Sequence, residues 1–347
     1  MARRLWLMLV LVAAALLTEG AASSAQEPEI RIMRIGTGPT GGAYFPIGGV
    51  LANLISSPPG ALSCAAGGSC GVPGLIASAV TTQGSVDNVA GLTAGNLDMA
   101  LLQADVANFA HLGKGPFAHE PAHSGLRAIA SLYAESVHVV TAASSPLKSV
   151  GDLRARRVSL GAERSGTRFT AERILKVGYG LRPQDVKPVY AGLDRSSDML
   201  ADGSIDAFFM VGGYPMGSVQ HAAEMTGIRL LPITGDAAAA LREEFPFFTP
   251  VTIPADTYRD VPEAETLSVR AHLVVDASMS DALVFAITRA LWLPETAQAM
   301  SRDLPETLRI RAEDALTGLA IPLHPGAERY YREAGLLAQR DEGATGQ

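Results

Sequence analysis

Two apolar patterns alternate along this chain. From residue 30 to 35 hydrophobic and polar positions alternate and the run ends at glycine. From 42 to 55 apolar residues then recur at helical spacing, with Phe45, Val50, Leu51 and Leu54. A period of two followed by a period near 3.6 reads as strand, turn and helix. The unit repeats as strand 75–80, turn Gly84-Ser85-Val86 and a short helix through Leu92. It repeats again as strand 97–102, a polar turn holding Gln103 and Asp105, and a helix to Leu112. Strands alternating with helices at this pitch predict a largely parallel sheet covered on both faces. The Gly-, Pro- and His-rich tract 111–125 reads as surface loop.

The pattern then restarts. Strands are predicted at 137–141, 157–160, 186–190, 205–211 and 228–233. Ser165-Gly166-Thr167 opens a helix running to about Val177, and further helices fall at 196–201 and 216–226. Pro246, Pro250 and Pro254 break the chain into an extended connection. A strand at 269–275 and helices at 280–292, 294–301 and 311–319 follow. The fold class is therefore α/β, with two lobes of similar grammar. Residues 26–140 form the first part of lobe 1, 141–235 form lobe 2, 236–340 return to complete lobe 1, and 341–347 are a solvated tail.

The first residues follow a different logic. Arg3 and Arg4 precede an apolar run of 13 residues, Leu5 to Leu17, and Ser23-Ser24-Ala25 follows. This is the layout of a secretory signal over 1–25, cleaved after about Ala25. The run is short of the ~20 residues that span a bilayer. With 48% apolar and 18% charged residues, the remainder can build real cores. The net charge of −7, with bases scattered, excludes nucleic acid and anionic membrane surfaces as partners. Any anion must be held locally, against the sign of the whole molecule. Cys64 and Cys70 stand six apart, which in an oxidising compartment reads as a disulfide closing a small loop; the other reading is a pair of free thiols.

Three catalytic spacings need weighing. Gly36-Thr37-Gly38-Pro39-Thr40-Gly41 fits G-x-G-x-x-G, but no Asp or Glu lies between Pro46 and Gly84 to hold a ribose. His119-Glu120-Pro121-Ala122-His123 fits H-E-x-x-H, but Pro121 sits inside the turn a zinc helix would need. Gly67-Gly68-Ser69-Cys70-Gly71 fits G-x-S-x-G, but it lies in a glycine-rich loop rather than between a buried strand and a helix. None carries an enzyme.

The strand ends carry more. Gly36–Gly42, Gly84–Asn88, Gln103–Asp105 and Gly161–Thr167 each join a strand's carboxyl end to a helix start. There, backbone N–H groups and the helix dipole favour an anion. Arg164 and Arg168 bracket one turn and offer bidentate partners for a carboxylate, or are solvated. Tyr133 lines the cleft or belongs to the core. His324 reads as a helix cap.

At these turns the sequence resembles a known family. Residues 35–55 (IGTGPTGGAYFPIGGVLANLI), 84–89 (GSVDNV), 101–107 (LLQADVA), 128–140 (AIASLYAESVHVV) and 158–175 (VSLGAERSGTRFTAERIL) resemble the TAXI family of TRAP-transporter substrate-binding proteins. So do 203–215, 229–233, 251–258 and 321–336, so the likeness runs through nearly the whole chain. The resemblance implies a periplasmic receptor of the type II binding-protein fold, with its ligand in the cleft between lobes. It also implies a monomer that serves an ion-driven TRAP membrane permease and needs no cofactor. The implied ligands are small organic anions or amino acids: glutamate, glutamine or dicarboxylates such as 2-oxoglutarate. Carried over by motif, the ligand-facing residues are Thr40, Gly41, Gly42, Tyr44, Asn88, Gln103, Asp105, Ser165, Gly166 and Thr167. Two departures stand out. Glu163-Arg164 replaces the usual Pro-Gly before Ser-Gly-Thr, and the Cys64–Cys70 loop looks like an insertion. An ABC-type or sensor-linked binding protein and, more remotely, a secreted zinc hydrolase are the competing readings.

Overall fold

The computed structural model describes residues 29–305 and 308–337 of the chain; the expected leader and tail lie outside them. The first lobe begins with β1 (Arg31–Gly36), α1 (Tyr44–Ile55), β2 (Leu75–Val80), α2 (Ser85–Thr93), β3 (Met99–Gln103) and α3 (Ala104–Leu112). β1 pairs in parallel with β2, from Arg31↔Leu75 to Gly36↔Val80, and with β3 on its other side. All five residues of β3 are buried, as a strand covered on both faces requires. Between α1 and β2 a loop carries the Cys64–Cys70 disulfide.

The second lobe repeats the plan with β5 (Arg157–Ser159), α4 (Gly166–Arg173), β6 (Lys187–Val189), α5 (Leu193–Ala201), β7 (Ala207–Gly212), α6 (Gly217–Thr226) and β8 (Ile228–Leu230), where β4 is the strand Leu126–Ala142 that precedes them. β5 pairs in parallel with β6 and β7. The chain continues through α7 (Gly235–Glu244), β9 (Thr249–Ile253) and β10 (Ala264–Asp276). It closes with α8 (Asp281–Leu291), α9 (Pro294–Asp303) and α10 (Pro325–Glu333).

β4 and β10 join the lobes. They run antiparallel through the middle of one ten-stranded sheet, ordered β2-β1-β3-β10-β4-β7-β5-β6, with β8 on β4 and β9 on β10. Leu132, Tyr133, Ala271 and Leu273 pack into the lobe 1 core, whereas Val137, Val139, Leu267 and Val269 pack into that of lobe 2. The passage between lobes therefore falls near Glu135 and Val269, which face each other in the ladder. Each lobe has apolar cores on both sides of its sheet. This is the two-lobed α/β architecture of periplasmic binding proteins.

Several sequence expectations shift. The strand expected at 137–141 is the far half of β4, because burial on both faces continues from Leu126, through polar as well as apolar residues. Residues 236–268, expected in the return to lobe 1, pack into lobe 2 through Leu241, Phe245, Phe248, Ile253 and Tyr258. The proline-rich connection is in part a strand, β9, paired along the edge of β10, where proline's missing N–H is tolerated. The helix expected at 311–319 is a single turn at Ala312–Asp314, and Gly318 takes a positive φ of 64°. His324 caps α10 by accepting the Gly326 N–H at 3.1 Å. The helix opening at Ser165 ends as α-helix at Arg173 and continues as a π-turn to Gly178.

Candidate functional site

The strand ends of both lobes face one another across a cleft whose floor is the crossing strand β4. Five helices begin on its walls: α1 behind Gly42 and Ala43, α2 behind Gly84, α3 behind Gln103, α4 behind Ser165, and α5 behind Gly192. Each start leaves backbone N–H groups without intrahelical partners, and the dipoles add a positive potential. Only α4 has a side-chain cap, with Ser165 Oγ accepting the Arg168 N–H at 3.1 Å. The acids in the first turns of α2, α3 and α5 (Asp87, Asp105 and Asp194) stand behind the cleft lining rather than in it. No Arg, Lys or His side chain lines it among the described residues. The space is narrow: the centres of water-sized bodies can occupy about 50 Å³.

One titratable carboxyl lies on the floor. Glu135 is 2% exposed, and its Oε2 accepts the Tyr44 hydroxyl at 2.8 Å. Burial pushes the carboxyl well above the usual carboxylate range; the Tyr44 hydrogen bond opposes this and Asp105 adds to it. Burial likewise raises Tyr44, and the adjacent Glu135 reinforces the effect. Ser85, also on the wall, accepts the Gln103 N–H at 3.1 Å.

The residues expected from the sequence divide into those on the walls and those behind them. Gly42, Tyr44, Gln103, Ser165, Gly166 and Thr167 line the cleft. Thr40 is exposed outside it. Gly41 abuts lobe 2, where an added Cβ would overlap Asp194 and Ser218. Asn88 is fully buried and gives its amide to the carbonyls of Thr37 (2.7 Å) and Leu101 (2.9 Å), fastening β1 to β3. Tyr133 is buried against Gly213. Asp105 lies behind Gln103 and accepts the Thr170 hydroxyl of lobe 2 at 2.8 Å. Burial pushes Asp105 up to about 6, against its hydrogen bonds from Thr170 and Val106 and the charge of Arg173.

Arg164 lies at the rim rather than in the lining. Its guanidinium turns out of the cleft and pairs with Asp87 at 3.1 Å, while its N–H reaches Gln83 Oε1 at 3.3 Å and its carbonyl accepts the Asp87 N–H at 3.0 Å. It ties the two lobes at the rim. With the Asp105–Thr170 bond and the edge-on Phe109–Phe169 pair at 5.0 Å, these contacts hold the lobes closed on one another.

The sequence reading missed Glu135, which stood inside a quoted stretch as one acid in an apolar strand, and Ser85, Met210 and Gly192. The buried acid was the available signal. The H-E-x-x-H residues lie in a loop, and no cluster of metal-ligating side chains occurs among the described residues.

Residues 35–335 match the model of the NMT1-like family. Among solved structures, the alkanesulfonate-binding protein SsuA from Xanthomonas axonopodis pv. citri, bound to MOPS, is similar at a TM-score of 0.50 and 16% identity, over 90% of this chain and 96% of that one. A binding-protein component of an ABC phosphonate transporter from Pseudomonas aeruginosa gives 0.47 and 12%, over 84% of each chain. An ancestral arginine-binding protein bound to arginine gives 0.44 and 12%, over 88% and 99%. These likenesses are of fold. The chain belongs to the NMT1-like family.

Proposed function

We propose, from the chain's place in the NMT1-like family and the geometry of its cleft, that it is an exported solute receptor of the TAXI type. It captures a small carboxylate and presents it to a TRAP membrane permease. The observation that carries this reading is the convergence of five helix starts on one narrow cleft between two touching lobes. Such a cleft suits a small anion without any arginine or lysine. The motifs shared with the TAXI family lie on these same turns, which favours glutamate, glutamine or a dicarboxylate such as 2-oxoglutarate as ligand.

The mechanism follows from the two crossing strands. An open form admits the ligand, and closure adds the Gln103–Gly166 wall and the Arg164–Asp87 tie. Ligand shifts the balance by the contacts it makes only in the closed form. Micromolar capture needs about 8 kcal/mol. Two or three charge-assisted hydrogen bonds at about 1.5–3 kcal/mol each, with burial of the carbon skeleton, suffice after ordering costs.

Thermal-shift screening of the purified chain against organic acids and amino acids tests this. A ligand at 100 times its Kd stabilises by about 2.7 kcal/mol, a shift of several degrees. No shift with any of them would sink the reading. An ABC-type importer would use the same receptor architecture. Uptake by vesicles carrying the cognate permease separates the two, since TRAP transport follows an ion gradient and ABC transport requires ATP.

A further inference from the structure

Glu135 is out of place in an anion site. It sits on β4 at the passage between lobes, opposite Val269, with its carboxyl in the cleft floor and almost no exposure to solvent. A buried carboxyl ordinarily has a cationic partner, because desolvation otherwise disfavours its charge by several kcal/mol. Here no basic side chain lines the cleft among the described residues, and the charge that acts on Glu135 is another acid, Asp105. Tyr44 donates its hydroxyl to Oε2 and so orients the group. Oε1 has no hydrogen-bond partner among the described residues.

The two halves of the site thus have opposite character. The helix starts on the walls attract negative charge, and the floor carries one oriented acid. A ligand that is only an anion would set its charge against Glu135 or force it to stay protonated. A ligand with a carboxylate at one end and a basic nitrogen a few bonds away satisfies both.

We propose that Glu135 is the counter-charge for a basic nitrogen of the ligand, so that the cleft selects an amino acid over the matching carboxylic acid without the nitrogen. This rests on the carboxylate-binding reading above and narrows it. Glu135 is then a specificity-determining residue, and Tyr44 positions it.

The test is isothermal titration of the purified chain with matched pairs that differ in the amino group: L-glutamate with glutarate, L-glutamine with glutaramic acid, and L-alanine with propionate. The expected result is at least tenfold tighter binding of one amino acid than of its partner, with Glu135→Gln weakening the amino acid about 10- to 100-fold and leaving the deaminated partner bound no more weakly than before. Tyr44→Phe, which keeps the acid but frees it, should lose part of the same preference; it carries the test if Glu135→Gln fails to fold. Tighter binding of the deaminated acid, or a preference that survives both substitutions, would overturn the role of Glu135 while leaving the receptor reading intact. Binding of neither class in any pair, nor of any acid or amino acid in the thermal screen, would overturn both.

Discussion

Gly166 is the point at which lobe closure can be tested most directly. It opens α4 in lobe 2, and a Cβ added there would overlap Gln103 Oε1 and lie 2.6 Å from its Cδ and 3.0 Å from Ser85 Oγ, all in lobe 1. Gly166→Ala therefore forces Gln103 aside. Gln103 is 3% exposed and donates to Thr170 Oγ1 at 3.3 Å, so its displacement forfeits a buried hydrogen bond. That loss is worth about 0.5–1.5 kcal/mol, and an off-rotamer side chain costs about 0.5–1.5 kcal/mol more. The penalty of about 1–3 kcal/mol falls on the closed arrangement alone, since an open protein separates the two residues. Ligand affinity should drop about 5- to 150-fold at 1.4 kcal/mol per factor of ten. The melting temperature of the ligand-free protein should fall less than that of the ligand-bound protein, because parting of the lobes relieves the clash and alanine is at least as good as glycine in a helix. Titration calorimetry and thermal melts of the same preparation give both numbers. Affinity within twofold of the parent would mean that closure does not bring Gly166 against Gln103. A melting temperature lowered in step with affinity would mean that the contact is part of the folded core.

Two further substitutions separate the roles of polar groups around the cleft. Arg164→Ala removes a pair whose side chains are 49% and 28% exposed, worth at most about 1 kcal/mol. It should weaken anionic and neutral ligands by the same factor, about fivefold or less, and a loss confined to anions in competition titrations would place the guanidinium on the ligand. Asp105 has a folded pKa of about 6 against an ordinary 3.8, so its contribution to stability is full below pH 3.8 and is lost as pH rises through 6. At 1.36 kcal/mol per pKa unit this amounts to about 3 kcal/mol at most. Asp105→Asn should abolish that part of the decline in melting temperature between pH 4 and 8, and an unchanged slope would show that Asp105 stays solvated.

The local grammar of the fold was legible because strand and helix periods alternate and glycines mark the joins. Most strands came out within two residues of their observed ends. What the sequence hid was allegiance. Residues 236–268 have the composition of either lobe, and only packing of Leu241, Phe245 and Tyr258 assigns them. The site was half legible for the same reason. Turn chemistry pointed to Gly42, Gln103 and Gly166, whose glycine or N-cap character serves the wall itself. Asn88 and Asp105 share that chemistry but point it inward, toward β1 and α4. Arg164 looked like an anion clamp because its partner Asp87 lies 77 positions away in the sequence. Glu135 escaped because a lone acid in an apolar strand gives no periodic signal.

The two strands that cross between the lobes have one more consequence. β4 and β10 are paired through the passage, so the lobes turn about a stiff two-stranded ribbon rather than a loose tether. A point on an axle does not travel. Glu135 sits at that point, so its carboxyl meets an arriving molecule in the same place whether the lobes stand apart or together. The group that tells one molecule from another is then in place before the walls close. The walls that swing in afterwards set how long the guest stays.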